Sequence, residues 1–216
     1  MAKSLSSKTK NCRKMGMGDG ENYLPYITTS EFNSLGTTSV IKDWKTGRGV
    51  HCLSQGEALW YYVLRWDDNN VDIREQYPLD NKITVKIAHE NGFKHPYDDS
   101  YIMTTDFLVT EANGSLHAYS VKDNRELKER TLQLLCIEKI YWKMQGVEFD
   151  LLFKEDVNRI LATNIRLVTE FYDASKVFDE YSAVKHKIAI KEYEFDMKND
   201  LIEEKILERY WLDAHE

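Results

Sequence analysis

Three side chains near the middle of the chain have the types and spacing needed to cut a phosphodiester. Asp106 lies in Met103-Thr104-Thr105-Asp106-Phe107-Leu108-Val109, and Ser120 and Lys122 lie in Leu116-His117-Ala118-Tyr119-Ser120-Val121-Lys122. Asn113-Gly114 separates these β-prone runs, which predicts a hairpin. Side chains at i and i+2 of a strand share a face, so Ser120 and Lys122 point the same way. A carboxylate facing a hydroxyl and an ammonium on the next strand can hold a divalent cation beside a cationic amine. Such a cation polarises a phosphate oxygen and activates water. The plain alternative is an edge hairpin with a solvated Asp106 and Lys122. Against it, an Asp in mid-strand is disfavoured by propensity and costly to bury unpaired.

A second carboxylate stands at a predicted helix start. Ser54-Gln55-Gly56-Glu57 is a capping box ahead of an apolar run. Glu57 is therefore either the N3 partner of Ser54 or a carboxylate aimed at the hairpin, and the two roles are compatible if a metal displaces the cap. Lys94-His95-Pro96 leads into the hairpin and offers Lys94 and His95 as phosphate contacts, with a loop histidine of no consequence as the alternative. His51, His95 and His117 do not fall at zinc-ligand spacing. There is no G-x-x-x-x-G-K-[ST] phosphate loop and no G-x-S-x-G elbow.

These residues need a scaffold, and the chain has the means to build one. Its 216 residues, 42% hydrophobic and 30% charged, suit one domain with a real core and a smaller appendage. No apolar run is long enough to span a bilayer. Cys12, Cys52 and Cys136 are scattered, with no C-x-x-C, which fits a reducing compartment and a cytoplasmic location. The formal charge of −7 is uneven. Residues 1–60 carry 8 basic and 5 acidic groups, against 11 and 16 in residues 61–150 and 10 and 15 in residues 151–216. Lys3, Lys8, Lys10, Arg13 and Lys14 form a basic N-terminal arm, either a phosphate-binding segment or an ordinary tail.

Helical spacing places one helix on Leu59, Trp60, Tyr62, Val63 and Trp66. An extended run follows at 71–78, then a helix at 82–92 ending at Gly92. The hairpin comes next, then a helix over 124–144 closed by Gly146, a strand at 147–153, and a helix from Glu155 to Tyr172. This order predicts an α/β core with a mixed sheet. The expected domains are a flexible basic arm at 1–22, a nuclease domain at 23–160 and a reduced helical region at 161–216.

Several blocks resemble one family in the same order. They are Gly56-Glu57-Ala58, Asp72-Ile73-Arg74-Glu75-Gln76-Tyr77-Pro78-Leu79, Lys94-His95-Pro96, Met103 to Val109 and Val121-Lys122, with Glu129-Arg130-Thr131-Leu132 and Tyr141-Trp142 beyond. The resemblance is to TnsA, the endonuclease subunit of heteromeric Tn7-like transposases, CRISPR-associated ones included, and spans roughly residues 20–160. It implies a restriction-endonuclease-like fold of the PD-(D/E)xK superfamily. It also implies Mg²⁺-dependent cutting, with Mn²⁺ able to substitute, of the 5′ strands at the element's ends. The implied partners are double-stranded DNA at transposon ends, a TnsB-like DDE transposase and a TnsC-like AAA+ regulator. Glu57 and Asp106 match the family's metal-binding carboxylates, and Lys122 its catalytic lysine. The fourth position of the catalytic set, Ser120, departs from the family's usual Gln and the superfamily's Glu or Asp, which puts a second metal in question. Arg13 and Lys14 join Lys94 and His95 as expected DNA contacts. A stand-alone restriction or repair nuclease, and a cleavage-impaired subunit that bridges DNA and partners, remain as alternatives.

Overall fold

The computed structural model describes residues 5–31, 37–203 and 205. Its centre is a four-stranded sheet of β3 (Asn70–Pro78), β4 (Thr104–Glu111), β5 (Leu116–Lys122) and β6 (Glu148–Phe153), in that spatial order. The first three strands run antiparallel, and β6 joins β5 in parallel. A parallel partner needs a crossover, and α4 (Glu129–Met144) supplies it. The mixed sheet expected from the element order is the one observed.

Strand alternation sorts the core into two layers. Phe107 and Val109 pack with Ile73, Val121 and Tyr61, and so meet α2 (Gln55–Trp66) and the hairpin β1 (Ser39–Lys42) and β2 (Gly49–Cys52). Leu108 and Ala118 face the other way, toward Ile87 and Ala88 of α3 (Asn81–Glu90) and Ile137, Tyr141 and Trp142 of α4. α5 (Arg159–Thr169) and α6 (Glu180–Ala189) form a third cluster through Ile165, Val168, Ile188 and Ala189, with Tyr62 and Trp66 of α2 against it. Among the described residues no helix is long and apolar enough to cross a membrane.

Three expectations change. The helix expected over 124–144 starts only at Glu129, because Arg125 is drawn off to Glu155 and Asp156 at 2.7 and 2.6 Å. The helix expected from Glu155 starts at Arg159, where the Asn158 side chain accepts the Leu161 amide. The arm differs most. Ser7–Cys12 is a helix (α1) capped by Ser6, and Lys10 is buried, paired with Glu31 at 2.9 Å and donating to the Tyr26 carbonyl at 2.7 Å. An aromatic ring beneath its ammonium adds a further attraction. Residues 5–22 are thus part of the body rather than a flexible tail. Lys8, Arg13 and Lys14 are exposed, while Lys3 lies outside the described residues.

Candidate active site

The site begins where a sheet ladder stops. β4 and β5 pair as far as Phe107↔Tyr119, and one residue on the Asp106 side chain replaces the main-chain acceptor. The Val121 amide donates to Asp106 Oδ2 at 2.6 Å. Lys122 Nζ lies 3.5 Å from the same oxygen and donates to the Val121 carbonyl at 2.8 Å. The mid-strand Asp is therefore paired, as its cost of burial demands.

α2 brings the second carboxylate. Ser54 Oγ accepts the Glu57 amide at 3.1 Å, which is half of a capping box. The other half is displaced by one residue: Glu57 Oε2 accepts the amide of Leu53, at 2.9 Å, rather than that of Ser54. Capping and aiming thus coexist, because the same buried carboxylate also reaches the sheet. Gln76 of β3 donates Nε2 to Glu57 Oε2 at 3.2 Å and to Asp106 Oδ1 at 3.5 Å. Thr104 Oγ1 donates to Gln76 Oε1 at 3.1 Å and fixes the amide's orientation. Gln76 itself sits at φ 48°, in the left-handed region that non-glycine residues adopt infrequently and that Lys14, Tyr97 and Lys191 also occupy.

Glu57, Asp106, Gln76, Lys122 and Lys154 share a cleft of about 630 Å³. Its electrostatics are those of an anionic pair held close. Burial, and then the charge of Asp106, push Glu57 up to about 8. Burial opposes the charge on Lys122, but Asp106, Glu138 and Glu57 outweigh it and raise its pKa. Lys122 therefore stays an ammonium at neutral pH.

Ser120 does not line this cleft. It is buried, and its hydroxyl donates to Glu138 Oε2 on α4 at 2.9 Å. It lies on the face of Lys122, and its hydroxyl hydrogen is committed to Glu138 rather than turned to the cleft. Glu138 also accepts from the Thr105 hydroxyl, which in turn accepts from Trp142 Nε1 at 3.2 Å. Burial first, and Asp106 second, push Glu138 up to about 7. His95 also departs from expectation. Its ring is buried, with Nε2 3.1 Å from Thr84 Oγ1 and Nδ1 3.1 Å from the Asp98 carbonyl, so it staples the loop instead of facing a phosphate. Lys94 is exposed on that loop, and its carbonyl accepts from Arg130.

Sequence reasoning missed Gln76, Glu138 and Lys154. Glu138 had a signal: it is a lone carboxylate on the buried face of α4 that carries Leu135, Tyr141 and Trp142. Gln76 had one only as a polar residue inside an otherwise strand-like block.

The donor set suits a hard divalent ion. Two carboxylates from different layers converge on one amide donor, and their mutual repulsion favours a cation between them. Among the described residues no group of three His, Cys, Asp or Glu side chains is gathered to hold a metal.

Residues 67–153 match the family described as TnsA-like endonuclease N terminal. Over 155 residues the chain is 36% identical to the transposon Tn7 transposition protein TnsA of Escherichia coli. That alignment covers 69% of this chain and 57% of the relative, so the chain spans little more than half the relative's length. Asp106, Lys122 and Glu138 fall inside the family match, whereas Glu57 lies ahead of it and is brought to the site by the fold.

Proposed function

We propose that this chain, which is similar to TnsA-like endonucleases, is a metal-dependent DNA endonuclease that nicks the 5′ strands at the ends of a mobile element. The observation that carries this reading is the convergence of Glu57, Asp106 and Lys122 on one cleft. Bound between the two carboxylates, Mg²⁺ or Mn²⁺ would polarise a phosphate oxygen and lower the pKa of water. Asp106 and Glu57 would hold that ion, and Gln76 donates to one oxygen of each. Lys122 lies beside Asp106, where its ammonium neutralises charge that builds on the phosphorus oxygens as water attacks. Its raised pKa suits that electrostatic part and not that of a general base. Double-stranded DNA at the element's ends is the substrate, and a TnsB-like DDE transposase and a TnsC-like AAA+ regulator are the partners that deliver and license it.

The test is strand-specific nicking of end-bearing DNA with both partners present. Wild-type protein nicks only with Mg²⁺ or Mn²⁺, and Asp106→Ala does not. Equal nicking by Asp106→Ala would overturn the assignment. A wild-type chain that assembles with both partners and never nicks would instead be a bridging subunit.

A further inference from the structure

The cleft holds a second ammonium that the chemistry above leaves unused. Lys154 follows the last residue of β6, and its amide donates to the Lys122 carbonyl at 2.8 Å, continuing the parallel ladder. Two lysines on neighbouring strands thus reach the same cleft.

The fold fixes the base of Lys154. Trp60 Nε1 donates to the carbonyl of Phe153 at 3.0 Å, tying the end of β6 to α2. The Arg125 guanidinium lies over the Phe153 ring at 4.7 Å. The stem of Lys154 runs against Gly56, where an added Cβ would sit 3.2 Å from Lys154 Cβ and 3.1 Å from Val121 Cγ1. Glycine lets α2 press onto the ends of β5 and β6 at that point.

The two ammoniums differ in their partners. Lys122 is engaged by Asp106 and by the Val121 carbonyl. The ion pair of Lys154 is with Asp123 at 3.8 Å, and Asp123 is 78% exposed. A pair that long and that wet contributes little. A well-anchored stem under a loosely paired head is what a phosphate diester needs from the wall of a cutting site.

Resting on the nuclease reading, we propose that Lys154 grips the phosphate adjacent to the scissile one on the strand being cut. Lys122 then serves the reacting phosphate and Lys154 its neighbour one nucleotide away. Lys122 is in register with Phe153, so Lys154, the next residue, leaves the sheet on the other side from Lys122, and both line the cleft. Lys154 is in this sense a positioning residue: it sets where along the strand the bond at Asp106 falls.

The experiment measures binding of the full chain to a short fluorescent duplex across a salt series, with Ca²⁺ present to hold the DNA uncut. Lys154→Gln should make the log–log salt slope shallower by about 0.9, the loss expected for one phosphate contact. Lys154→Arg should restore it, and Asp123→Asn should tighten binding by freeing the ammonium. In the nicking assay Lys154→Gln should raise KM more than it lowers kcat and blur the cut position by a nucleotide. Lys86→Gln, an exposed lysine on α3, is the control for bulk charge. A wild-type slope in Lys154→Gln, or an equal change in Lys86→Gln, would overturn the assignment while leaving the nuclease reading intact. If the wild-type chain alone shows no salt-dependent binding, nicking with both partners decides, and an unchanged KM and cut position in Lys154→Gln there would overturn the assignment.

Discussion

Gln76 donates its side-chain amide to Glu57 at 3.2 Å, joining β3 to the first turn of α2 through a carboxyl that burial has made a weaker acid. The direction of that shift fixes how stability follows pH. A carboxyl whose folded pKa lies above its unfolded value favours folding below about 4.5 and loses that contribution as pH rises to about 8. The metal-free protein should therefore lose melting temperature across that window. Asp106→Asn removes the neighbouring charge and should flatten the loss, raising the metal-free Tm near pH 8 while abolishing cleavage. Thermal melts at several pH values, with and without Mg²⁺, check this.

Ser120 and Lys122 should separate cleanly. Ser120→Ala leaves Glu138 without one of its two donors, a cost of about 1–3 kcal/mol in folding stability, with only a modest effect on nicking. Lys122→Ala removes charge next to the reacting phosphate and should lower nicking about 10²-fold or more. Urea unfolding and nicking rates for both variants decide the matter. If Ser120→Ala is as inactive as Lys122→Ala, the hydroxyl acts directly in the reaction and the modest effect expected of its loss is wrong.

Asp43 offers a second pH signature, of opposite sign. Burial opposes its charge, but the Tyr61 hydroxyl, the Arg65 guanidinium and the Thr46 and Lys45 amides outweigh it and hold its carboxyl below the usual range. Its contribution is present above the unfolded carboxylate value of about 3.9 and is lost as pH falls through the lower folded value. Asp43→Asn should cost about 3 kcal/mol at pH 7, because it leaves Arg65 buried and unmatched. The difference from wild type should shrink in denaturation curves taken toward pH 3.

The N-terminal segment should act on stability before it acts on DNA. Lys10→Ala breaks a buried pair with Glu31 and should lower Tm by several degrees. Arg13→Gln with Lys14→Gln leaves the fold alone, since both side chains are exposed. If these two touch DNA, the pair should make the salt slope shallower by up to about 1.8, at about 0.9 per phosphate. Deleting residues 1–18 therefore mixes two effects, which these variants resolve.

The sheet, the hairpin and the two carboxylates were legible because each rests on short-range signals. Asn113-Gly114 marks a turn, Ser54-Gln55-Gly56-Glu57 marks a helix start, and Asp106 stands out because strands rarely carry it. Gln76 was not legible in the same way, because its left-handed backbone follows from how β3 meets Tyr26 and Asp106, not from its own propensity. Glu138 was masked by the many exposed acids of the same composition. Lys10 was masked by its neighbours, since a tail rich in Ser and Lys gives no hint that one lysine finds Glu31 some twenty residues on. The loop histidine His95 shows the converse: a residue type suited to phosphate is used for a buried staple once Thr84 and the Asp98 carbonyl face it.

The bond from Trp60 Nε1 to the Phe153 carbonyl joins residues 93 apart. A ribosome that has released the chain only as far as Lys122 has already made Glu57, Asp106 and the lysine, yet β6 and the wall it seals do not exist. A half-made protein thus owns the reactive groups without the enclosure that sets them against α2. The cleft that gathers Glu57, Asp106 and Lys122 is therefore complete only once β6 and Lys154 have been made.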